Sequence, residues 1–429
     1  MGLKTVPETI SVTIDRLGAQ GDGIGEYEGV PVYVPFALPG ERVTVSVSEK
    51  KRGGLYTQLV SVNQPSASRR EPECKHFGSC GGCQLQHLDT GYYQQWIRHR
   101  AGMALSQHGF EDVTILEPFF APVASRRRAA FKVHKGGSGV VLGFSAKNSH
   151  QIINLSECPV SSNAIMQILP ALKRLLNRVL PARSVATVYC TAASNGLDIL
   201  VDSNLKLDLQ ARELLADFAE THDIAGLHWQ QDGFMDPVAI RREPVMDFAG
   251  VKVPLPPASF IQVSAACESA MVAHVVDACK GYGRVADLFC GIGTFSFPLA
   301  HDHQLLAVEG AQAAIQSLEL ARNASTAQGV RLKQIVTKHR DLFRRPLTAA
   351  ELAGFEAVVI DPPRAGAQAQ MAELAKSSVE RIVSVSCNPN TFARDARILA
   401  DGGYALDSVF PVDQFLWSSH LELVGVFAK

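Results

Sequence analysis

The sequence predicts an α/β protein of three parts: a small N-terminal β-barrel, a central α+β segment, and a C-terminal doubly wound parallel sheet. Three observations predict it. Residues 9–62 alternate apolar and polar side chains between glycine-rich turns, Cys74, Cys80 and Cys83 cluster just beyond, and four continuous apolar runs after residue 256 each precede a helix-compatible stretch. At 429 residues the chain also exceeds one ordinary core. The expected boundaries are 1–65, 66–255 and 256–429.

In the first part, Val12 and Ile14, Val30, Val32 and Val34, Val43, Val45 and Val47, and Leu59 and Val60 mark short strands. Gly21-Asp22-Gly23 and Pro39-Gly40 supply turns, so a five-stranded, OB-like barrel is expected. Asn63-Gln64-Pro65-Ser66 reads as the linker out of it. The central part predicts helices over Thr90–His108, Ile165–Leu180 and Leu207–Glu220, and strands near 129–134, 140–144, 185–191 and 197–201. In the last part, Val285–Phe289, Leu305–Val308, Ala357–Ile360 and Ile382–Val385 are strands buried on both faces, the mark of a parallel, Rossmann-like sheet. Ligands of such sheets bind at the carboxyl ends of the strands.

Composition excludes several classes. The chain is 46% hydrophobic and 19% charged, with no apolar run of about 18 residues, so no membrane span is expected. Met1 to Glu8 has no apolar export segment, which makes the cytoplasm the expected compartment and disulfides unexpected among nine cysteines. The net charge of −1 is no nucleic-acid footprint. Between Arg69 and Lys135, however, ten Lys/Arg (69, 70, 75, 98, 100, 126, 127, 128, 132, 135) face six Asp/Glu (71, 73, 89, 111, 112, 117). Phosphates sense charge within about 8–10 Å, so local basicity matters more.

The run Asp287-Leu288-Phe289-Cys290-Gly291-Ile292-Gly293-Thr294-Phe295 follows the first strand of the last part and is expected to open a helix. Its glycines let backbone bend against a ligand. Glu309 ends the next strand, placed to accept both ribose hydroxyls of an adenosine. The third glycine of the dinucleotide fingerprint is missing, which favours S-adenosylmethionine over NAD. Asp361-Pro362-Pro363-Arg364 is similar to the Asp/Asn-Pro-Pro-Tyr motif of amino methyltransferases, but Arg364 replaces the base-stacking aromatic. An exocyclic amine is therefore not the expected target.

Cys387, in Ser386-Cys387-Asn388-Pro389, lies between a strand and the next helix, where a helix N-terminus favours thiolate. Glu422 is a carboxylate within an otherwise apolar terminal strand. A thiol, a methyl-donor site and a base suit methylation of uracil C5. Thiolate addition at C6 makes C5 nucleophilic, C5 takes the methyl, and a base removes its proton before the thiol is eliminated. Cys190, Cys267, Cys279 and Cys290 are expected to be core residues.

Cys74, Cys80 and Cys83 form C-x5-C-x2-C, with Cys158 a candidate fourth ligand for zinc or an iron–sulfur cluster. Spacing does not decide between them, though a single C-x2-C knuckle leans towards the cluster.

Taken together, these residues resemble the RNA (uracil-5-)-methyltransferase family over nearly the whole chain. The match includes Gly23-Ile24-Gly25, Pro39-Gly40-Glu41, Cys80-Gly81-Gly82-Cys83-Gln84-Leu85-Gln86-His87, Phe260-Ile261-Gln262-Val263, Asp361-Pro362-Pro363-Arg364-Ala365-Gly366 and Ser386-Cys387-Asn388-Pro389. The chain looks most like the branch with a TRAM domain and an iron–sulfur cluster, which methylates 23S rRNA. The resemblance implies a class I methyltransferase fold, a TRAM barrel holding RNA, and Cys74, Cys80, Cys83 and Cys158 around a [4Fe-4S] cluster. It also implies Gln262, Phe289, Thr294, Glu309, Asp341 and Asp361 at the S-adenosylmethionine site, with Cys387 as nucleophile and Glu422 as base. The expected partner is 23S rRNA, with tRNA second, and no feature calls for an obligatory protein partner. Three departures stand out: Asp413-Gln414-Phe415-Leu416-Trp417 lacks the family's Phe-Pro, Thr294 stands where Asn is common, and Ser264 follows Phe-x-Gln where Asn is usual.

Other readings fit less of the sequence. Radical methylthiotransferases use C-x3-C-x2-C, and RNA cytosine-5 methyltransferases place a Pro-Cys nucleophile where this chain has Asp361-Pro362-Pro363. An RNA-binding factor with a dead methyltransferase fold would not need Cys387 and Glu422.

Overall fold

The structure, a computed structural model, describes residues 7–147 and 149–429. Most of the N-terminal stretch read for an export signal lies outside the described residues. Strands β1 (Thr9–Leu17), β2 (Gly23–Tyr27), β3 (Val30–Val34), β4 (Arg42–Lys51) and β5 (Gly54–Gln64) close a barrel in the order β1-β2-β3-β5-β4. Alternate residues Ile10, Val12 and Ile14 point inward against Val32, Val34, Val43, Val45 and Leu55, as a two-residue period dictates. Buried Glu41 ties barrel to linker by accepting the Leu38 N–H and a bidentate pair from Arg69 at 2.5 and 2.8 Å.

Helix α1 (Thr90–Ser106) starts at Asp89, whose carboxylate accepts the Tyr92 N–H. Two short strands follow, β6 (Thr114–Ile115) and β7 (Phe119–Phe120). The middle of the chain then builds β8 (Arg128–Gly136), β9 (Gly139–Ser145), β10 (Ile152–Asn154), helix α2 (Asn163–Val179), β11 (Val185–Ala193), β12 (Gly196–Asp202), α3 (Leu209–Thr221), β13 (Gly226–Gln231) and β14 (Phe234–Ile240). These strands form one sheet, β10-β9-β8-β11-β12-β13-β14, whose apolar face packs on α2 and α3. A hairpin of β15 (Val245–Phe248) and β16 (Val251–Pro254) leads into α4 (Ala265–Ala278).

The last part contains β17 (Arg284–Leu288), α5 (Ser296–Leu299), β18 (Gln304–Glu309), α6 (Gln312–Ala324), β19 (Ile335–His339), β20 (Ala357–Ile360), α7 (Gln368–Ala375), β21 (Arg381–Ser386), α8 (Pro389–Asp401), β22 (Ala405–Asp413) and β23 (Glu422–Ala428). The sheet runs β19-β18-β17-β20-β21-β23-β22, with β6 and β7 on the outer edge of β22. Pairing from β19 to β21 is parallel, and β23 enters antiparallel between β21 and β22. Segment 66–255 contributes to two cores. Residues of α1, β15 and β16 pack with residues 256–429, while the seven-stranded sheet has a core of its own.

The run after β17 does lead into a helix, but a short one: 291–295 is a chain of turns and α5 is a single turn. Phe289, Gly291 and Gly293 have φ of +59°, +56° and +102°, and left-handed backbone cannot propagate a right-handed helix. Among the described residues no helix is long and apolar enough to cross a membrane.

Candidate active site

The carboxyl ends of β17 to β19 form one half of the site. Glu309, last in β18, accepts the Gly291 N–H on Oε2 at 2.9 Å and the Ala311 N–H on Oε1 at 2.7 Å, so its carboxylate is fixed across the loop from Gly291. A Cβ at Gly291 would meet nothing within 4 Å, which leaves open space beside that carboxylate. Phe289 tilts against the half-exposed Phe343, ring centroids 5.3 Å apart. Asp341 accepts the Phe343 and Arg344 N–H groups. Thr294 lines a groove with Phe248, Glu268 and Val272.

The other half gathers at the ends of β20, β21 and β23. Cys387 directly follows β21, and Asn388 caps α8 by accepting the Asn390 N–H at 3.1 Å. Because β23 lies beside β21 with Leu423 opposite Ser386, Glu422 arrives next to Cys387. Glu422 is 4% exposed. Burial, then the charge of Asp361, push its carboxyl up to about 8, against a hydrogen bond from Gln414. Burial alone pushes half-buried Asp361 up to about 7. The Cys387 thiol is not depressed as its place before a helix suggests. Burial, followed by Glu422 and Asp361, pushes it up to about 11, with Arg364 opposing.

Gln262 joins the two halves. Its amide donates to Asp361 Oδ2 at 3.3 Å and accepts on Oε1 from Gln414 at 2.9 Å. Gln414 also donates to Glu422 Oε1 at 2.7 Å. In the sequence Gln414 is only one residue of an unusual loop, and its spacing of eight from Glu422 carries no local signal. Without Phe-Pro, the loop from Gln414 to His420 is held from outside. Tyr93 donates to Asp413 at 2.5 Å and accepts the Trp417 N–H, while Gln84 and Leu85 donate their N–H groups to the Trp417 carbonyl. The Arg126–Arg128 run is also structural. Arg126 lies over Phe415, Arg127 pairs with Glu268 at 2.6 Å and donates to the Gln262 carbonyl, and Arg128 lies over the exposed Phe260 ring.

Cys387 opens into a cleft of about 250 Å³ whose walls come from three regions. Arg16 to Gln20 and Ile24 come from the barrel, Trp96, His99 and Arg100 from α1, and Arg364, Asn388 and His420 from the sheet ends. Among the described residues three arginines and no carboxylate line it, so the cleft is basic although the chain is not. Arg100 lies over Trp96 at 4.7 Å, and its Nη1 is buried without a partner.

Cys74, Cys80, Cys83 and Cys158 line one pocket, together with Arg126, Phe144 and Leu416. The Gly82 N–H donates to Cys80 Sγ at 3.4 Å and the Ser161 hydroxyl to Cys158 Sγ at 3.4 Å. Burial, opposed by a Gln86 hydrogen bond, pushes the Cys83 thiol up to about 12. Among the described residues no group of three or more His, Cys, Asp or Glu is gathered as a single metal ion would require. The other buried cysteines, 190, 267, 279 and 290, sit in apolar cores.

A family profile described as tRNA (Uracil-5-)-methyltransferase matches residues 112–429, about three-quarters of the chain. The chain belongs to that family. A TRAM-domain profile matches residues 3–60, the span of the barrel. An RNA methyltransferase of Caulobacter vibrioides, itself uncharacterized, is 42% identical over 97% of this chain and 99% of its own length. The 23S rRNA (uracil(1939)-C(5))-methyltransferase RlmD of Shewanella halifaxensis is 32% identical over 99% of this chain and 96% of its own. In fold, the chain is similar to Pyrococcus abyssi tRNA (uracil-54, C5)-methyltransferase, solved with S-adenosyl-L-homocysteine (TM-score 0.75, 22% identity, 97% and 99% of the two chains covered). The chain is thus an RNA methyltransferase of the uracil-5 family with a TRAM domain.

Proposed function

We propose that this protein methylates C5 of a uridine in 23S rRNA through a covalent bond between Cys387 and C6. The observation that carries the reading is the meeting of Cys387 and Glu422 at adjacent strand ends, beside one basic cleft. Bound S-adenosylmethionine supplies the electrophilic methyl group. Glu309, fixed by two backbone N–H groups, holds the ribose hydroxyls; Phe289 and Asp341 hold the adenine side; Gln262 and Asp361 hold the end nearest Cys387. Thr294, on its groove, is assigned only a supporting place at the turn.

The Cys387 thiolate adds to C6, and the electron pair moved onto C5 takes the methyl, releasing S-adenosylhomocysteine. Glu422 takes the C5 proton, and the C–S bond breaks to expel the thiolate and restore the C5–C6 double bond. In the free chain the thiol is held neutral, so reaction needs positive charge near it, which Arg364 and the bound sulfonium provide. The target uridine has to leave its stack to enter the cleft, and Arg16, Arg100 and Arg364 meet its phosphates.

The 23S rRNA assignment rests on the relative whose name carries that substrate, and tRNA remains the second reading because the solved neighbour's name carries that one. The deciding experiment incubates unmodified 23S rRNA and tRNA transcripts with the protein and S-adenosylmethionine, followed by nucleoside mass spectrometry. 5-Methyluridine in rRNA alone is expected. The same product in tRNA alone overturns the substrate, and none in either overturns the reaction.

We also propose that Cys74, Cys80, Cys83 and Cys158 hold a [4Fe-4S] cluster. Four thiols lining one pocket match the ligand number and type that a [4Fe-4S] cluster takes. Its iron would offset the cost of ionising buried thiols such as Cys83. Anaerobically prepared protein is expected to carry about four irons per chain and absorb visible light, and Cys83→Ser to lose both. One zinc per chain and no iron would sink the assignment.

A further inference from the structure

The Gln414 side chain, 2% exposed, uses its oxygen and both of its amide protons. Its Oε1 accepts the Val263 N–H at 3.1 Å, which fixes which end of the amide is oxygen. Its Nε2 must therefore donate, and both protons are used, to Gln262 Oε1 at 2.9 Å and to Glu422 Oε1 at 2.7 Å. Gln262, accepting on its oxygen, is left to donate to Asp361. The chain of donors runs one way, from a backbone N–H through two amides into the carboxylates on either side of Cys387. Gln414 is the only hydrogen-bond partner of the Glu422 carboxylate among the described residues.

We propose that Gln414 is a positioning residue for the proton-abstraction half of the reaction, holding one oxygen of Glu422 so that the other faces the substrate carbon, and linking that base to the methyl-donor side through Gln262. This rests on the reading of Glu422 as the base. A donor to one carboxylate oxygen favours the ionised form, the only form that removes a proton. Besides Gln414, the groups facing Glu422 are Asp361 beyond β20, Cys387 beyond β21 with Arg364 near it, Cys267 on α4 and Asp413 at the end of β22. None of these is altered by substituting Gln414, so a change in the base's titration reports the lost amide.

Gln414→Met keeps the length of the side chain and removes the amide. Turnover is expected to fall about 10- to 100-fold, and the acid limb of the kcat profile to move up by about one pH unit. Covalent RNA–protein complex with ordinary uridine is expected to accumulate, since addition at C6 precedes the impaired step. Gln414→Glu, which donates only when protonated, should recover activity towards acid rather than alkaline pH. An unshifted profile in Gln414→Met, or loss of complex formation along with turnover, overturns the proposal. Glu422→Gln is run in parallel. If that variant turns over normally, the base reading has failed. If it is inactive while Gln414→Met behaves as wild type, only the role of Gln414 has.

Discussion

Cys387→Ala is expected to abolish 5-methyluridine formation, a loss on the order of 10⁴-fold or more, as nucleophile deletions produce. The same variant should form no denaturation-resistant complex with 5-fluorouridine RNA, because among the described residues no other thiol lines the cleft. Cys267 and Cys290 are buried in the core behind it, and the cysteine pocket opens elsewhere. RNA affinity should be retained, since Arg16, Arg100 and Arg364 are untouched. A stable adduct formed by the alanine variant removes Cys387 from its role.

Glu422→Gln is expected to separate the steps. The covalent complex should form with ordinary uridine and persist, with turnover reduced about 10²- to 10⁴-fold. In the wild type, burial and then Asp361 push the Glu422 carboxyl up to about 8, so activity in the free-enzyme profile should rise with pH through that region. The same shift acts on stability in the opposite sense. Between the ordinary carboxylate range and about pH 8, the folded chain keeps a proton that the unfolded chain has lost, so this group's contribution falls as pH rises. Asp287, Asp361 and Asp413, each pushed up to about 7 with burial the leading cause, add to that slope. Glu422→Gln should therefore melt several degrees above wild type at pH 9, with the gap closing towards pH 5. Equal melting temperatures at pH 9 would contradict the buried charge, and normal turnover would contradict the base.

The barrel was legible because alternation with period two is a local signal, and Val12, Ile14, Val32 and Val34 are its inward set. The buried strands β17, β18, β20 and β21 were legible as continuous apolar runs. β14 was missed because it carries Asp236 and Pro237 on an exposed edge, and β19 because Lys338 and His339 break its pattern. The helix expected after β17 is there but shrinks to a single turn, because the left-handed backbone of Phe289, Gly291 and Gly293 imposes turns ahead of it.

The residues of the site divide in the same way. Cys387, Glu422, Glu309, Cys74, Cys80, Cys83 and Cys158 are candidates singled out by residue type and place in a motif, which is chemistry that a linear sequence carries. Tertiary structure alone decided what acts on them. Gln262 and Gln414 are far apart in sequence and meet at 2.9 Å; Tyr93 reaches Asp413 across 320 positions; the Gln84 N–H reaches the Trp417 carbonyl in the loop before Glu422. The upward shift of the Cys387 thiol was equally unreadable, since burial and the fields of Glu422 and Asp361 exist only once β20, β21 and β23 lie side by side. Local periodicity and motif chemistry are properties of the chain, whereas desolvation and hydrogen bonding between distant side chains are properties of the packed fold.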